Sequence, residues 1–380
     1  MFSQIIFWLS LSTLVYVYFG FILLLIFIAP FRRHAVQKKD IEPSLSIIIC
    51  AYNEEGTILD KINNCFSLDY PQDKIEIIIV SDGSLDRTHD ILKNIDNQQV
   101  KVLCMPERIG KSECQNRAVT VAHNDVLFFT DATTMHPPDA LKLLVRNLYD
   151  PTVGCVTGRP VFKRDESMTS LGLNKREKYE LYLRRKLNEI NTLFGAQDCM
   201  YAIPREIFVP TRKDLDSGFV GPLKLLEKGY RTIYEFDALA FIERRPPTVA
   251  DEVARRSRIV LRGLRGILHM RHLMNPFAYG FTAIALLSSR MLRWLSPLFL
   301  IVLFISNIAL LYNPFYQGTF LLQVLFYLTA LIALFMDRRG HRINSLLYIP
   351  LYFCILMYSA IVGFLKLIVG ETGQTWETRR

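Results

Sequence analysis

The sequence predicts an α/β domain built on a mainly parallel sheet and joined to membrane helices at both ends. Short apolar runs rich in β-branched residues alternate with helical segments between residues 45 and 129, which is typical of strands joined by right-handed crossovers. Apolar stretches at 5–30, 295–312, 320–336 and 345–369 are long enough to cross a bilayer. We therefore divide the chain into an anchor with a basic linker (1–40), an α/β domain (41–273) and a membrane region (274–380).

The composition supports this division. Hydrophobic residues make up 51% of the 380 residues and charged residues 21%, which fits a soluble domain joined to membrane segments. The net charge of +9 is explained by Lys and Arg in cytoplasmic loops next to anionic lipid. The soluble part has no basic stripe with interleaved aromatic residues, so no nucleic-acid partner is expected. The 7 cysteines lack CxxC spacing and are expected to be free thiols.

The first apolar stretch, 5–30, is predicted to be a retained membrane anchor. No basic residue precedes it, and a basic patch follows it, formed by Arg32, Arg33, His34, Lys38 and Lys39. A secretory signal would have the reverse charge order and a cleavage site. The positive residues place the following domain in the cytoplasm. A buried helix is the alternative interpretation.

Polar loops follow the first four predicted strands, at 45–51, 74–80, 100–104 and 126–129; another strand is expected at 154–162. Ligands of open α/β sheets bind in the crevice beyond the carboxyl ends of the strands. The loops therefore favour a nucleotide-type ligand there, and the carboxylate of Asp131 suits a hydrated divalent cation or a sugar nucleotide. The five polar groups in these loops are Asn53, Glu54, Asp82, Lys111 and Asp131. The alternative for 126–141 is a strand that ends in a solvated aspartate turn, and Lys111-Ser112 lacks the glycine spacing of a P-loop.

Three features stand out in the second half of the chain. Asp214 and Asp216 precede an apolar helix that ends at Gly229, although Asp216 could simply be the helix N-cap. The basic stretch 244–265 is either a membrane-surface helix or a phosphate clamp. Residues 276–294 are apolar but carry two arginines, so we interpret them as an interfacial helix, not a span.

Four ordered segments, 43–58, 80–88, 108–118 and 129–141, resemble membrane-bound glycosyltransferases of family 2, which include relatives of cellulose and hyaluronan synthases. The resemblance extends over nearly the whole chain, including the tail 376–380. It implies a GT-A fold and a hexosyltransferase-type enzyme that transfers a sugar with inversion from a nucleotide sugar, usually UDP-linked, with Mg²⁺ or Mn²⁺. It further implies an integral protein of a bacterial-type inner or plasma membrane, a lipid-linked or saccharide acceptor, and partners from an envelope-polysaccharide assembly.

The resemblance also assigns roles to individual residues. It places Tyr52, Asn53 and Glu54 against the nucleotide and Asp82 on its uracil or ribose side. Lys111 lies in the segment near the donor, and 195–205 resembles the lining of the acceptor pocket. Asp131 begins a DxD motif that lacks its second aspartate, so Thr133 and water are expected to complete the metal shell.

Two departures from the family pattern shape the prediction of mechanism. The paired acids expected directly before Phe219 are Ser217-Gly218 here, so Asp216, with Asp214 beside it, is the predicted general base. The QxxRW motif of processive synthases is reduced to 255–259, which keeps two candidate phosphate ligands, Arg255 and Arg258, and loses the tryptophan on which a polymer could stack. We therefore expect transfer of one or a few sugars. The alternatives are a processive polysaccharide synthase and a non-catalytic, nucleotide-binding membrane scaffold.

Overall fold

A computed structural model describes residues 1–32, 34–162, 169–190, 193–242, 248–339, 341, 344–371 and 373. The described residues do not include Arg33, Arg244 and Arg245 at the beginning of the basic stretch, or the tail 376–380.

The strands form one eight-stranded sheet. They are β1 Leu45–Ala51, β2 Ile75–Asp82, β3 Val100–Met105, β4 Val126–Asp131, β5 Thr134–Met135, β6 Val153–Phe162, β7 Met200–Pro204 and β8 Arg231–Ile242. Their spatial order is β3-β2-β1-β4-β7-β6-β8-β5.

The helices cover the sheet and form the membrane region. The first half of the chain contributes α1 Phe2–Arg32, α2 Ile58–Phe66, α3 Thr88–Lys93, α4 Lys111–Thr120, α5 Ala140–Val145 and α6 Thr169–Glu189. The second half contributes α7 Ser217–Glu227, α8 Val249–His269, α9 Pro276–Tyr279, α10 Phe281–Ile308, α11 Pro314–Arg338 and α12 Ser345–Ile368.

Strand β1 is buried on both faces, as its unbroken apolar sequence predicts. Ile47 and Ile49 belong to the core on one side of the sheet, whereas Ile48 and Cys50 belong to the core on the other. The alternation follows from the two-residue period of a strand. The sheet is therefore the middle layer of the domain, and its strand ends are held rigidly.

The two halves of the sheet differ in direction. Strands β1 to β4 are mutually parallel, as predicted, whereas β7 runs antiparallel to both β4 and β6. Strand β8 is not predictable from its local pattern, because two acids, Glu235 and Asp237, interrupt the apolar residues. The Glu235 carboxylate is nevertheless buried, since it pairs with Lys38 at 2.7 Å and with Arg146 at 3.2 Å.

The described residues include four helices long and apolar enough to cross a membrane: α1, α10, α11 and α12. Helix α10 corrects the predicted boundary between an interfacial helix at 276–294 and a span beginning at 295. The chain instead forms one continuous helix from Phe281 to Ile308 after the short α9. Its two arginines contact the α/β domain: Arg293 pairs with Glu180 at 2.5 Å, and Arg290 donates to the carbonyl oxygen of Phe194 at 2.9 Å.

A buried ion pair joins the linker after α1 to the sheet. Asp150 contacts Arg231 at 2.5 Å and accepts hydrogen bonds from the backbone N–H of Gln37 at 3.1 Å and of Thr152 at 3.0 Å. Burial alone would raise the pKa of Asp150, but a hydrogen bond from the Thr152 hydroxyl at 2.6 Å, the two N–H hydrogen bonds and the Arg231 guanidinium outweigh it and lower the pKa to about 2.

Asp150→Asn is expected to lower the free energy of unfolding by about 2 kcal/mol at neutral pH. Because the folded-state pKa lies below the unfolded value of about 3.9, the stabilisation is present above that value and is lost as the pH falls towards the folded pKa. Thermal melts of purified protein should therefore show a gap between wild type and variant that is nearly constant from pH 7 to about pH 5 and narrows as the pH falls below about 4 towards the folded pKa. A gap that does not change with pH would contradict this origin. Asp69→Asn, which breaks an exposed pair with Lys142, should change stability little.

Candidate functional site

The polar loops predicted to lie together do meet at one edge of the sheet. The register pairs Ala51 of β1 with Ser81 of β2, and Cys50 of β1 with Asp131 of β4. The strands are parallel, so their carboxyl ends form one rim. The loops after β1, β2 and β4 start from this rim.

The loop after β1 is fixed mainly by hydrogen bonds to the loop after β2. Asn53 has a positive φ of 54°; its side-chain Oδ1 accepts from the N–H of Leu85 at 2.8 Å, and its own N–H donates to Ser84 Oγ at 3.2 Å. Glu54 is buried, and its carboxylate accepts from Thr57 Oγ1 at 2.7 Å. The carboxylate of Glu54 therefore holds the loop from within.

Tyr52 and Asp82 are both tied to the loop that precedes α4. The Arg108 guanidinium lies 3.7 Å from the centre of the Tyr52 ring, a cation–π contact. Asp82 is fully buried, and its carboxylate accepts from the N–H groups of Ile109 at 2.6 Å and Gly110 at 3.2 Å. Asp82 therefore positions the backbone of 108–110 beside the rim.

Lys111 and Asp131 form the ion pair at the centre of the rim. Lys111 Nζ lies 2.5 Å from Asp131 Oδ1 and 3.5 Å from the backbone oxygen of Asp198. Burial alone would lower the pKa of Lys111, but Asp131 and Asp198 outweigh it and raise the pKa. The Asp131 side chain keeps 37% of its surface exposed, compared with 12% for Lys111, so the carboxylate remains accessible from the crevice.

A buried lysine holds the turn that carries Asp131. Lys61, on α2, is fully buried and donates to Thr130 Oγ1 at 3.0 Å and to the Thr134 carbonyl oxygen at 2.5 Å. These bonds span the turn in which Thr133, also partly exposed, follows Asp131. These hydrogen bonds therefore fix the backbone of the turn that carries Asp131 and Thr133.

The opposite wall of the crevice is built by the start of α7 and by α8. Asp216 occupies the N-cap position of α7, but its side chain makes no capping hydrogen bond. Its Oδ2 instead lies 3.7 Å from Arg262 Nε, and Arg262 also donates to the Leu215 carbonyl oxygen at 3.2 Å. This geometry favours a functional role for Asp216 over a simple cap.

Asp198 also lies at this site, although no sequence motif predicts a role for it. It lies just before β7, in the segment 195–205 predicted to line the acceptor pocket. Burial and the nearby negative charge of Asp216 raise the pKa of Asp198 to about 6, against the opposing effect of Lys111. Its Oδ1 is buried without a hydrogen-bond partner in the described part of the chain. The site thus contains three carboxylates. Asp131 and Asp216 each form an ion pair, with Lys111 and Arg262 respectively, whereas Asp198 forms none within the described residues.

The other predicted residues lie in ion pairs of their own. Asp214 is held by Arg212 at 2.8 Å and by Arg265 at 3.6 Å; burial would raise its pKa, but Arg212 outweighs this and lowers it. Arg255 pairs with Glu252, one turn earlier on α8, at 2.9 Å. These pairings stabilise the charged form of Asp214. Its role beside the general base, like the roles of Arg255 and Arg258 as phosphate ligands, stays a prediction.

The arginines of α8 nevertheless follow a helical period. Arg255, Arg258, Arg262 and Arg265 are three or four residues apart, a spacing that places side chains on one helix face. The structure brings Arg262 and Arg265 to the carboxylates at 214–216. This spacing is the signal by which the sequence could have identified Arg262.

A divalent cation fits this site only if the substrate supplies part of its coordination shell. Asp131 offers one exposed carboxylate, and within the ranges that the structure describes no three His, Cys, Asp or Glu side chains form a metal-binding group. Mg²⁺ commonly binds through one or two carboxylates together with substrate phosphates and water. The residues present therefore fit a cation shared with a diphosphate.

Comparison with known proteins supports the family assignment. Residues 46–209 match the family described as Glycosyl transferase family 2. Poly-beta-1,6-N-acetyl-D-glucosamine synthase of Staphylococcus aureus is 32% identical over 143 residues, covering 36% of this chain and 34% of the relative. The Staphylococcus epidermidis protein of the same name is 29% identical over 143 residues, covering 37% and 34%. The chain thus matches about a third of the length of these relatives.

A solved structure supports the fold over nearly the whole chain. The mannosyltransferase PcManGT from Pyrobaculum calidifontis, determined in complex with GDP-Man and Mn2+, superposes with a TM-score of 0.68 at 20% identity, covering 96% of this chain and 99% of that one. At this identity the likeness concerns the fold alone. The predicted GT-A-like domain, flanked by an N-terminal apolar helix and C-terminal apolar helices, is confirmed. The chain therefore carries a Glycosyl transferase family 2 domain of GT-A-like fold, together with apolar helices long enough to cross a membrane.

Proposed function

We propose that this glycosyltransferase moves a sugar, with inversion, from a nucleoside-diphosphate sugar, UDP-linked by preference, to a lipid-linked or saccharide acceptor at the membrane. One observation carries the proposal. The Lys111–Asp131 pair at the strand ends faces a second set of charges, Asp198, Asp216 and Arg262, on the other side of the crevice. The first set suits a diphosphate, and the second suits the acceptor and the reacting carbon.

The donor is bound along the rim of the sheet. Tyr52 and Asn53, with the loop that Asp82 fixes, form the nucleotide side of the pocket. Lys111 and Arg262, with Arg258 on the same face of α8, supply positive charge for the diphosphate. Asp131 and Thr133 would hold the divalent cation, which would add Lewis-acid stabilisation of the diphosphate when bound.

The reaction needs one proton acceptor. As the acceptor hydroxyl oxygen attacks the anomeric carbon, a carboxylate takes its proton, and the bond from that carbon to the diphosphate oxygen breaks. The bonding electrons leave with the nucleoside diphosphate, and cationic side chains stabilise the charge that develops there. Asp216 is the base that the sequence predicts, and Asp198 is the second carboxylate on that wall.

An open apolar groove between the membrane helices is consistent with a lipid-linked acceptor. It has a volume of about 370 Å³ and lies between α10, α11 and α12. Its lining includes Leu300, Phe304, Tyr327, Phe353 and Met357. Such walls match a hydrocarbon chain and offer few hydrogen bonds to a hydrated sugar polymer. The staphylococcal relatives are poly-beta-1,6-N-acetyl-D-glucosamine synthases, and this similarity favours the alternative, a processive polysaccharide synthase.

The proposed topology places the catalytic domain on the cytoplasmic side, because Arg32, Lys38 and Lys39 follow the first apolar helix. This is also the side on which nucleotide sugars would be available to the site.

The proposal predicts a short, lipid-bound product. Purified full-length protein in nanodiscs would be incubated with radiolabelled UDP-N-acetylglucosamine, UDP-glucose or GDP-mannose and a bacterial lipid extract. Label should move into the organic phase with at least one donor, and mild acid should release one or a few sugars. Long polymer in the aqueous phase would establish the processive alternative. Nucleotide binding without sugar transfer from any donor would support the scaffold alternative.

A further inference from the structure

We infer that Asp198 is the general base of the transfer reaction and that its carboxylate occupies the space into which a side chain at residue 218 would project. The inference rests on the proposed function and assigns one of its steps to a specific side chain. Asp216 then acts as a positioning residue, together with Arg262.

Residue 218 is a glycine whose missing side chain leaves space for the Asp198 carboxylate. A Cβ atom at this position would collide with Asp198 Oδ1 and lie 3.5 Å from Asp216 Oδ1. Gly218 is not among the glycines with positive φ, and it lies in the first turn of α7. Because the backbone there accepts any residue, the requirement for glycine comes from the carboxylate of Asp198.

The position of Asp198 against α7 is fixed by the backbone. The N–H of Ala196 donates to the carbonyl oxygen of Gly218 at 2.6 Å. Gly195, with a φ of +82°, packs so closely that a Cβ there would lie 2.9 Å from the Phe219 ring. Asp198 therefore reaches the beginning of α7 from a firmly docked segment.

The charge environments separate the two carboxylates on this wall. Asp216 has a cationic partner, since its Oδ2 lies 3.7 Å from Arg262 Nε. Asp198 has a buried Oδ1 without a hydrogen-bond partner within the described ranges. The positive charges of Lys111 and Arg262 act on its carboxylate only through space, since Lys111 donates to Asp131 at 2.5 Å and to the backbone oxygen of Asp198 at 3.5 Å. A carboxylate less neutralised by cations binds a proton more readily.

The proposed step is balanced. Asp198 takes the proton of the acceptor hydroxyl as the new bond from oxygen to the anomeric carbon forms. The bond from that carbon to the diphosphate breaks, and the nucleoside diphosphate leaves with the electron pair. The carboxylic acid then returns its proton to solvent, so no oxidant or reductant is required.

The test compares Asp198→Asn with Asp216→Asn in the full-length protein, using the donor that the wild type turns over best. Loss of a general base commonly lowers rates by about 10²–10⁴-fold. We expect the kcat of Asp198→Asn to fall at least about 100-fold, while its equilibrium affinity for UDP stays unchanged. The kcat of Asp216→Asn should fall clearly less. Asp198→Asn turnover equal to or above that of Asp216→Asn would overturn the inference. Asp90→Asn, an exposed acid on α3, controls for loss of charge.

A swap of the two side chains is the second arm. Asp198→Gly removes the carboxylate, and Asp198→Gly with Gly218→Asp returns one to the same space from α7. The double variant should recover at least tenfold over Asp198→Gly by the same mechanism. A double variant that binds UDP normally without any recovery counts against the inference, and the Asp198→Asn arm decides by itself if the double variant does not fold. Absence of turnover by the wild type with every donor would instead refute the proposed function.

Discussion

Asp131→Ala is expected to lower sugar turnover about a thousand-fold or more, while the protein still inserts into the membrane. The substitution removes the exposed carboxylate that would hold the cation, and it leaves the ammonium of Lys111 without its partner at 2.5 Å. The unpaired ammonium would remain close to the place proposed for the diphosphate, but its orientation would no longer be fixed. Release of nucleoside diphosphate from the preferred donor measures the effect.

Two controls make this result specific. Asp131→Asn keeps the size of the side chain and should also be inactive. A neutral amide lacks the negative charge with which a carboxylate binds a divalent cation. The melting temperature and membrane fraction of both variants should stay near those of the wild type, since Lys61 holds the turn from below. An Asp131→Ala protein that keeps more than a tenth of wild-type turnover would place the donor elsewhere.

Arg262→Ala is expected to lower kcat about 100-fold or more. The Arg262 side chain is only 11% exposed and contacts Asp216 and the Leu215 carbonyl oxygen. We expect it to lie next to the diphosphate of the bound donor. Negative charge develops on the diphosphate as the glycosidic bond breaks, so the loss should affect kcat more than donor affinity.

The lysine replacement tests geometry separately from charge. Arg262→Lys should recover only part of the activity, because an ammonium supplies charge without the planar fork that binds two oxygens. Arg117→Ala on α4, which loses an exposed pair with Glu113, is the matched control and should behave as wild type. Full activity of Arg262→Ala would remove α8 from the mechanism.

Local sequence patterns predicted the first half of the domain well. The apolar runs at 45–51 and 126–129 specify strands buried on both faces, and parallel pairing then places Asp82, Lys111 and Asp131 near one rim without further information. The chemistry at the strand ends therefore follows from local sequence plus one topological rule.

The second half depends on contacts that no local pattern reveals. Strand β8 contains a buried glutamate that is tolerated only because Lys38 and Arg146 neutralise it. Arg293 likewise lies within the apolar helix α10 because Glu180 of α6 pairs with it. The sequence therefore predicted too short a span beginning at residue 295.

The position of Asp198 in the site likewise depends on tertiary contacts. The sequence revealed that Ser217-Gly218 stand where acids were expected, and it pointed to the nearest acid along the chain, Asp216. The carboxylate that fills the space beside Gly218 comes from about twenty residues earlier, through the docking of Ala196 onto α7. Only the tertiary structure brings these segments together.

The donor diphosphate is expected to bind between Lys111 and Arg262, with a cation on Asp131. A structure of the full-length protein with UDP and Mn²⁺ would test this binding mode. We predict diphosphate oxygens within hydrogen-bonding distance of Lys111 and Mn²⁺ bound to the Asp131 carboxylate. Density for UDP away from the ends of β1, β2 and β4, or none at a concentration that saturates turnover, would contradict the claim.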